Sequence, residues 1–340
     1  MSPAEYDLPP HRLSVVIPLY NEVENVTPLV ARMHEALAEY AHPWELILVN
    51  DGSRDGTAPA LDTTAREYGA HVRVVHLQRN FGQTAAMQAG IDTARGDVIV
   101  TLDGDLQNDP EDIPRLVARL LNEDLDLVAG WRKNRQDTLM MRKIPSRIAN
   151  RLIGRITGVR IHDYGCSLKA YRGDVIRQVR LYGEMHRFIP AWMAAYTQPE
   201  RIQEEVVAHH PRTRGTSKYG ISRTFRVLLD LLVVFFFMRY NARPGHFFGL
   251  VGMVFGALGG AALGYLFILK LLGESIGTRP LLITGVLLVL MSAQFLSIGI
   301  ISEMLTRIYY LSSEHRAYTV RNRQALEIAE DAAWKAPAAA

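Results

Sequence analysis

Two stretches near the end of the chain limit its fold more than any other feature: Phe247 to Leu269 and Leu281 to Ser302 carry no charged residue. Each is close to the ~20 apolar residues that cross a hydrocarbon core of about 30 Å. Both therefore read as spanning helices joined by a short loop. Gly249, Gly252, Gly256, Gly259, Gly260 and Gly264 recur at helical spacing in the first run, and small residues let helix backbones approach closely in lipid. Lys270, Glu274 and Arg279 fall in the loop, whereas Arg223, Arg226, Arg239 and Arg243 flank one side and Arg307, Arg316, Arg321 and Arg323 the other. The excess of arginine puts both flanks on the cytoplasmic side. Val227 to Met238 is apolar but short and contains Asp230, which predicts an interfacial helix rather than a third span.

At 340 residues the chain exceeds what a single core of about 250 to 300 residues accommodates. The expected organisation is an N-terminal tail over 1–11, a soluble domain over 12–222, a juxtamembrane helix over 223–243, two spans within 245–306 with an external loop at 270–280, and a cytosolic tail from 307 to 340. Met1 to Arg12 is polar, with no apolar core of a signal peptide, so the soluble domain is expected in the cytosol. A formal charge of +3 gives no basis for nucleic-acid binding. Cys166 is the sole cysteine, which excludes an intrachain disulfide and any multi-cysteine zinc site.

The soluble part alternates β-rich apolar runs with helical segments. Strands are predicted at Leu13–Ile17, Glu45–Val49, Val72–Leu77, Val98–Leu102 and Leu125–Ala129, and helices at Val26–Tyr40, Ala58–Tyr68, Thr84–Ala94 and Pro110–Asn122. Such alternation implies an α/β fold, a mainly parallel Rossmann-like sheet with helices on both faces. Ligands of open parallel sheets bind beyond the carboxyl ends of the strands. The five strands are followed by Pro18–Glu22, Asn50–Ser53, Gln78–Gln83, Asp103–Gln107 and Gly130–Arg132, so five polar clusters should meet at one edge. Neither Gly-x-Gly-x-x-Gly nor a Walker sequence occurs, which disfavours dinucleotide dehydrogenases and P-loop NTPases.

Asp103 and Asp105 stand two apart at a strand end, where two carboxylates can reach one hard cation that keeps its other positions for water and phosphate oxygens. This suits Mg²⁺ or Mn²⁺ on a nucleoside diphosphate. Asp51 is placed to accept hydrogen bonds from a base or ribose, and Tyr20 to stack on the base. Between Arg132 and Arg160 nine basic residues face Asp137 as the only acid. Lys143, Arg147, Arg151 and Arg155 fall on one helical line beside Ile144, Ile148, Leu152 and Ile156, a pattern suited to an anionic bilayer surface.

Val-Val-Ile-Pro-Leu-Tyr-Asn-Glu, Val-Asn-Asp-Gly-Ser, Arg-Asn-Phe-Gly-Gln and Thr-Leu-Asp-Gly-Asp-Leu-Gln-Asn-Asp-Pro, in that order, resemble the family 2 glycosyltransferases of GT-A fold. More narrowly the chain resembles the polyprenyl-phosphate glycosyltransferases related to dolichol-phosphate mannose synthase, and among them bacterial undecaprenyl-phosphate 4-deoxy-4-formamido-L-arabinose transferases and GtrB-type glucosyltransferases. The likeness covers about residues 12 to 312. It includes Asn134–Asp137, Asp163-Tyr164-Gly165-Cys166 and Gly215-Thr216-Ser217-Lys218-Tyr219.

The resemblance implies nucleotide contact by Pro18, Tyr20, Glu22, Asp51, Gln83 and Asp103, and metal binding by Asp103, Asp105 and Gln107. It implies catalytic roles for Asp105, Asp163, Arg132 and Arg147, with Arg142 competing for the place given to Arg147. Arg147, Arg214, Ser217 and Lys218 would meet the acceptor phosphate. The implied reaction moves one sugar from a nucleotide sugar, with UDP favoured over GDP, to polyprenyl (undecaprenyl) phosphate at the cytoplasmic membrane face, by a single inverting displacement in a homo-oligomer such as a tetramer. A processive polysaccharide synthase would need a Gln-x-x-Arg-Trp motif, and the chain has no Arg-Trp pair. A catalytically silent sugar-nucleotide-binding protein would be expected to lack Asp103 or Asp105.

Overall fold

The computed structural model describes residues 8–133, 153–155, 157–211, 236, 240 and 244–312. The chain divides into two compact units, Met1–Phe235 and Phe236–Ala340.

The first unit is built on a seven-stranded sheet of order β3-β2-β1-β4-β6-β5-β7. The strands are β1 (Leu13–Leu19), β2 (Trp44–Asn50), β3 (Val72–His76), β4 (Val98–Thr101), β5 (Leu127–Trp131), β6 (Lys169–Arg172) and β7 (Ile202–Val206). Only β6 runs against its neighbours β4 and β5; every other pairing is parallel. The five expected strands are all present, so their polar ends do share one edge. The fifth begins two residues later than expected, because Asp124 takes a left-handed conformation (φ 50°) and Leu125 N–H closes a turn onto the Leu120 carbonyl at 2.9 Å.

Four main helices follow the strands: α1 (Val23–Ala36), α2 (Thr57–Tyr68), α3 (Gln83–Thr93) and α4 (Ile113–Asn122). They cover both faces, as alternation along β1 requires. Leu13, Val15, Ile17 and Leu19 join one core with Val26, Leu29, Val30 and Met33 of α1, Leu61 of α2 and Ile113, Leu116, Val117 and Leu120 of α4. The opposite face meets α3. A Cβ on Gly90 would lie 2.2 Å from Val16 Cγ1 and 3.1 Å from Val49 Cγ2, so the helix sits this close only because it presents a glycine.

The second unit is a helix pair, α5 (Pro244–Leu271) and α6 (Pro280–Ser312), both long and apolar enough to cross a membrane, with few residues buried. Three of the six regularly spaced glycines make the contact. A Cβ on Gly252 would stand 3.0 Å from Leu296, one on Gly256 2.8 Å from Ser292 Oγ, and one on Gly259 3.0 Å from the Gly285 carbonyl. A Cβ on Gly249, Gly260 or Gly264 would meet nothing within 4 Å. Phe255 and Phe295 stack with ring centres 5.6 Å apart. Apart from Phe236, the expected interfacial segment 227–238 lies outside the described residues.

Candidate active site

The polar strand ends interlock through short hydrogen bonds. Asn21, in a left-handed conformation (φ 53°) after β1, donates its N–H to Ser53 Oγ at 2.9 Å, and its side-chain oxygen accepts Arg54 N–H at 2.8 Å. Glu22 donates its N–H to Thr57 Oγ1 at 3.0 Å and accepts Asn25 Nδ2 at 2.6 Å. Pro18 is buried within β1, opposite Val49, and Tyr20 is half-buried at the strand's end.

Asp51 is 2% exposed, and its two oxygens accept Phe81 N–H at 2.7 Å and Gly82 N–H at 3.0 Å. Its first task is to hold the loop between β3 and α3. Each oxygen keeps a second lone pair for the base or ribose contact read from the sequence. Gly52 (φ +62°) would bring a Cβ within 2.3 Å of the Arg79 backbone, so the two loops can cross here only at a glycine. A cavity of about 510 Å³, lined among others by Asn50, Gly52, Ser53, Arg54, Arg79 and Asn80, opens beside this crossing. Arg79 lies over the exposed Phe81 ring at 4.4 Å.

From this loop Gln83 donates its Nε2 to Asp103 Oδ1 at 2.7 Å. The Asp103–Gln107 loop packs onto β1 through Gly104, whose Cβ would stand 3.0 Å from the Leu19 side chain. Leu106 adopts φ 61°, costly for a branched side chain and of the kind found where a site fixes its loop. Gln107 donates its N–H to Asp105 Oδ1 at 3.2 Å, and its carbonyl accepts His210 N–H at 2.8 Å. Asp103 is pushed up to about 6, first by burial and next by the charge of Asp105, against the pull of Ser167, Lys169 and Arg132. Two carboxylates two positions apart in one loop, with an amide nearby, form a hard-oxygen donor set suited to a divalent cation. Among the described residues no three His, Cys, Asp or Glu side chains gather into a metal cage.

Arg132, just past β5, makes a two-pronged ion pair with Asp163: Nε to Oδ2 at 2.7 Å and Nη2 to Oδ1 at 3.0 Å. The two side chains are 12% and 16% exposed. Burial works against the guanidinium's charge, but the Asp163 hydrogen bonds and charge outweigh it and hold Arg132 firmly protonated. Gly165 N–H adds a bond to Asp163 Oδ1 at 3.1 Å.

Sequence reasoning missed Lys169. This residue on β6 is 2% exposed, donates to the Cys166 carbonyl, and has its pKa lowered by burial while the Asp163 and Asp103 charges support its protonated form. The signal for it stands directly after Asp163-Tyr164-Gly165-Cys166, in Ser167-Leu168-Lys169. Arg142, Arg147, Arg214, Ser217 and Lys218 lie outside the described residues. Of the basic helix only 153–155 is described among its last turns, with Ile153 buried and Arg155 exposed.

Residues 14–180 match the family described as glycosyl transferase family 2. The chain is 59% identical over 314 residues to a dodecaprenyl-phosphate galacturonate synthase of Rhizobium johnstonii, covering 91% of this chain and 92% of that protein. It is 39% identical over 304 residues to an undecaprenyl-phosphate 4-deoxy-4-formamido-L-arabinose transferase of Pseudomonas fluorescens, covering 88% and 86%. Among solved structures, glucosyl-3-phosphoglycerate synthase of Mycobacterium tuberculosis in complex with Mn²⁺ and UDP-glucose aligns with TM-score 0.50 and 17% identity, over 67% of this chain and 79% of that one. That last likeness speaks for the fold.

Proposed function

The chain belongs to glycosyl transferase family 2, as a sugar transferase acting on polyprenyl phosphate, and from that premise we propose that it moves galacturonate from UDP-galacturonate to a membrane polyprenyl phosphate with a divalent cation held by Asp103 and Asp105. The observation that carries the reading is this carboxylate pair at the strand edge of a GT-A fold, in a chain that also has two helices able to cross a membrane. The sugar follows the Rhizobium relative, at 59% identity.

When bound, the cation, Mg²⁺ or Mn²⁺, would offset the negative charge of the departing diphosphate. Asp103, Asp105 and Gln107 are its proposed ligands. Pro18, Tyr20, Glu22 and Gln83 line the donor side, and Asp51 serves it by holding the loop that carries Gln83. A phosphomonoester has its second pKa near about 6 and is mostly ionised at neutral pH, so no protein base is needed. An acceptor oxygen bonds to the anomeric carbon as the bond from that carbon to the β-phosphate oxygen breaks. Its electron pair leaves with UDP, and the anomeric configuration inverts. Arg132 orients the anions as a preorganised positive group, while Asp163, engaged through both oxygens, orients Arg132 rather than taking a proton. Arg147, Arg214, Ser217 and Lys218 are proposed to hold the acceptor phosphate. The arginine-rich flanks favour a cytoplasmic catalytic domain.

The test is to incubate the purified full-length protein with polyprenyl phosphate, Mg²⁺ or Mn²⁺, and a panel of UDP-galacturonate, UDP-glucuronate, UDP-glucose, a UDP-4-amino-arabinose derivative and GDP-mannose, reading lipid mass. We expect a hexuronate adduct, formed fastest from UDP-galacturonate and abolished by a chelator. A lipid product from another donor alone would overturn the sugar assignment.

A further inference from the structure

We propose that His186, aimed by Thr84, reads the carboxylate of the donor's sugar, an inference that rests on the galacturonate reading above. A uronate differs from its parent hexose in carrying a carboxylate where the hexose has a hydroxymethyl group. A transferase that selects the uronate therefore needs a directed hydrogen-bond donor, one sugar ring beyond the diphosphate.

His186 reaches that neighbourhood along α3. After β6 the chain runs against this helix from its carboxyl end to its amino end. Arg180 Nη1 donates to Asp92 Oδ1 at 3.2 Å, Leu181 N–H donates to Gln88 Oε1 at 2.8 Å, and His186 Nδ1 meets Thr84 Oγ1 at 2.6 Å. Met185 and Phe188, both buried, anchor the short 3-10 turn Met185–Phe188 that carries the ring. Thr84 directly follows Gln83, whose Nε2 holds Asp103 Oδ1 at 2.7 Å, and consecutive Cα atoms are only about 3.8 Å apart. A continuous run of contacts thus joins the imidazole to the loop proposed to hold the cation on the diphosphate.

The ring is suited to a carboxylate. Thr84 is 3% exposed, so its hydroxyl is held in place and fixes the plane of the imidazole through Nδ1. A threonine hydroxyl that donates to Nδ1 leaves the ring hydrogen on Nε2, and a protonated ring carries one there as well. Both forms present a donor, and the protonated one makes the stronger, charge-assisted bond. Three neighbouring cations are committed to other partners: Arg132 to Asp163, Lys169 to the Cys166 carbonyl, and Arg187 to Glu184 at 2.8 Å.

The experiment measures kcat/KM of the full-length protein for UDP-galacturonate and for UDP-galactose, with polyprenyl phosphate and Mn²⁺, reading lipid mass. His186→Ala should lower the value for UDP-galacturonate roughly 10- to 100-fold, the range of a hydrogen bond to a charged group. The value for UDP-galactose should fall far less, so the preference for the uronate shrinks. His186→Gln keeps an N–H donor without the charge and should fall between wild type and the alanine variant. Thr84→Val, which removes the aiming hydroxyl, should shrink the preference in the same direction, and Thr84→Ser should restore it. Calorimetric binding of UDP with Mn²⁺ identifies the variants that fold, and if His186→Ala does not, the glutamine variant and the Thr84 pair carry the same ordering. A wild-type preference left intact in the His186 variants, or a loss by the same factor for both donors, would overturn the role of His186 alone. A wild type that uses UDP-galactose as well as UDP-galacturonate would overturn the sugar reading and this proposal with it.

Discussion

The Asp103–Gln107 loop after β4 and the Asp163–Lys169 segment leading into β6 lie side by side and treat the same side chain in opposite ways. In the first, Asp103 is driven up to about 6, first by burial and next by the charge of Asp105. In the second, Asp163 is matched by Arg132 through two hydrogen bonds. One region keeps negative charge in need of a cation from outside, while the other is neutralised from within. The difference teaches that an acidic residue in a cleft is to be judged by what already answers its charge.

The sharpest way to break this contrast is to remove the carboxylates in turn. Asp103→Ala and Asp105→Ala should each lower kcat on the order of 10³-fold, since charge stabilisation at a leaving group commonly has this size, with thermal stability held or raised. Asp163→Ala should do the reverse in the folded state. It leaves the guanidinium of Arg132 buried without its partner, a loss of about 3 kcal/mol or more, read as a fall in Tm. Asp163→Asn can still accept a hydrogen bond and should retain more stability and activity than the alanine variant. Equal activity loss in both variants, with substrate binding kept, would instead mark the charge of Asp163 as essential.

A weaker effect should follow pH. The folded pKa of Asp103, about 6, lies above its ordinary value of 3.8, so between those values the folded protein holds more protons than the unfolded chain. Stability from this group therefore falls as pH rises through that window. A cation must displace the proton, so its apparent affinity should drop up to about tenfold per unit below pH 6, measurable by Mn²⁺ titration at pH 5, 6 and 7. Saturating cation should raise Tm more at pH 7 than at pH 5.

These two regions also differ in how far the sequence foretold them. Asp103 and Asp105 are neighbours in the chain, and the loop holding them follows a strand whose apolar run is unmistakable. The first four strands and helices are legible to within a few residues for the same reason, apolar periodicity. The Arg132–Asp163 pair spans 31 residues and exists because β6 inserts between β4 and β5. That strand reads Lys-Ala-Tyr-Arg, too short and too charged to announce itself. The β7 strand carries Glu204 and Glu205, which are engaged from outside the strand, Glu205 by Arg115 and Arg119 of α4 and Glu204 by the His162 backbone N–H at 2.6 Å. Asp51 stands out in the sequence as an acid at a strand end, but not the fact that two backbone N–H groups bond to its oxygens, since that depends on where the β3–α3 loop closes.

The smallest expected effect lies at Cys166, in the neutralised region. Its thiol is wholly buried, and burial pushes its pKa up, with the Asp163 charge adding to that and Arg132 and Lys169 opposing it. Reactivity belongs to the exposed thiolate, so the native protein should resist iodoacetamide at pH 7.5 and react fully once denatured, with intact mass as the readout. Cys166→Ser supplies a stronger donor towards Asn108 in nearly the same volume but buries a hydroxyl, so its activity should stay within about twofold and its Tm should fall modestly, a ΔΔG of about 1 kcal/mol. Rapid alkylation of the folded protein would mean that the Asp163–Lys169 segment opens to solvent, and the contrast between a closed region and a cation-seeking one would no longer hold.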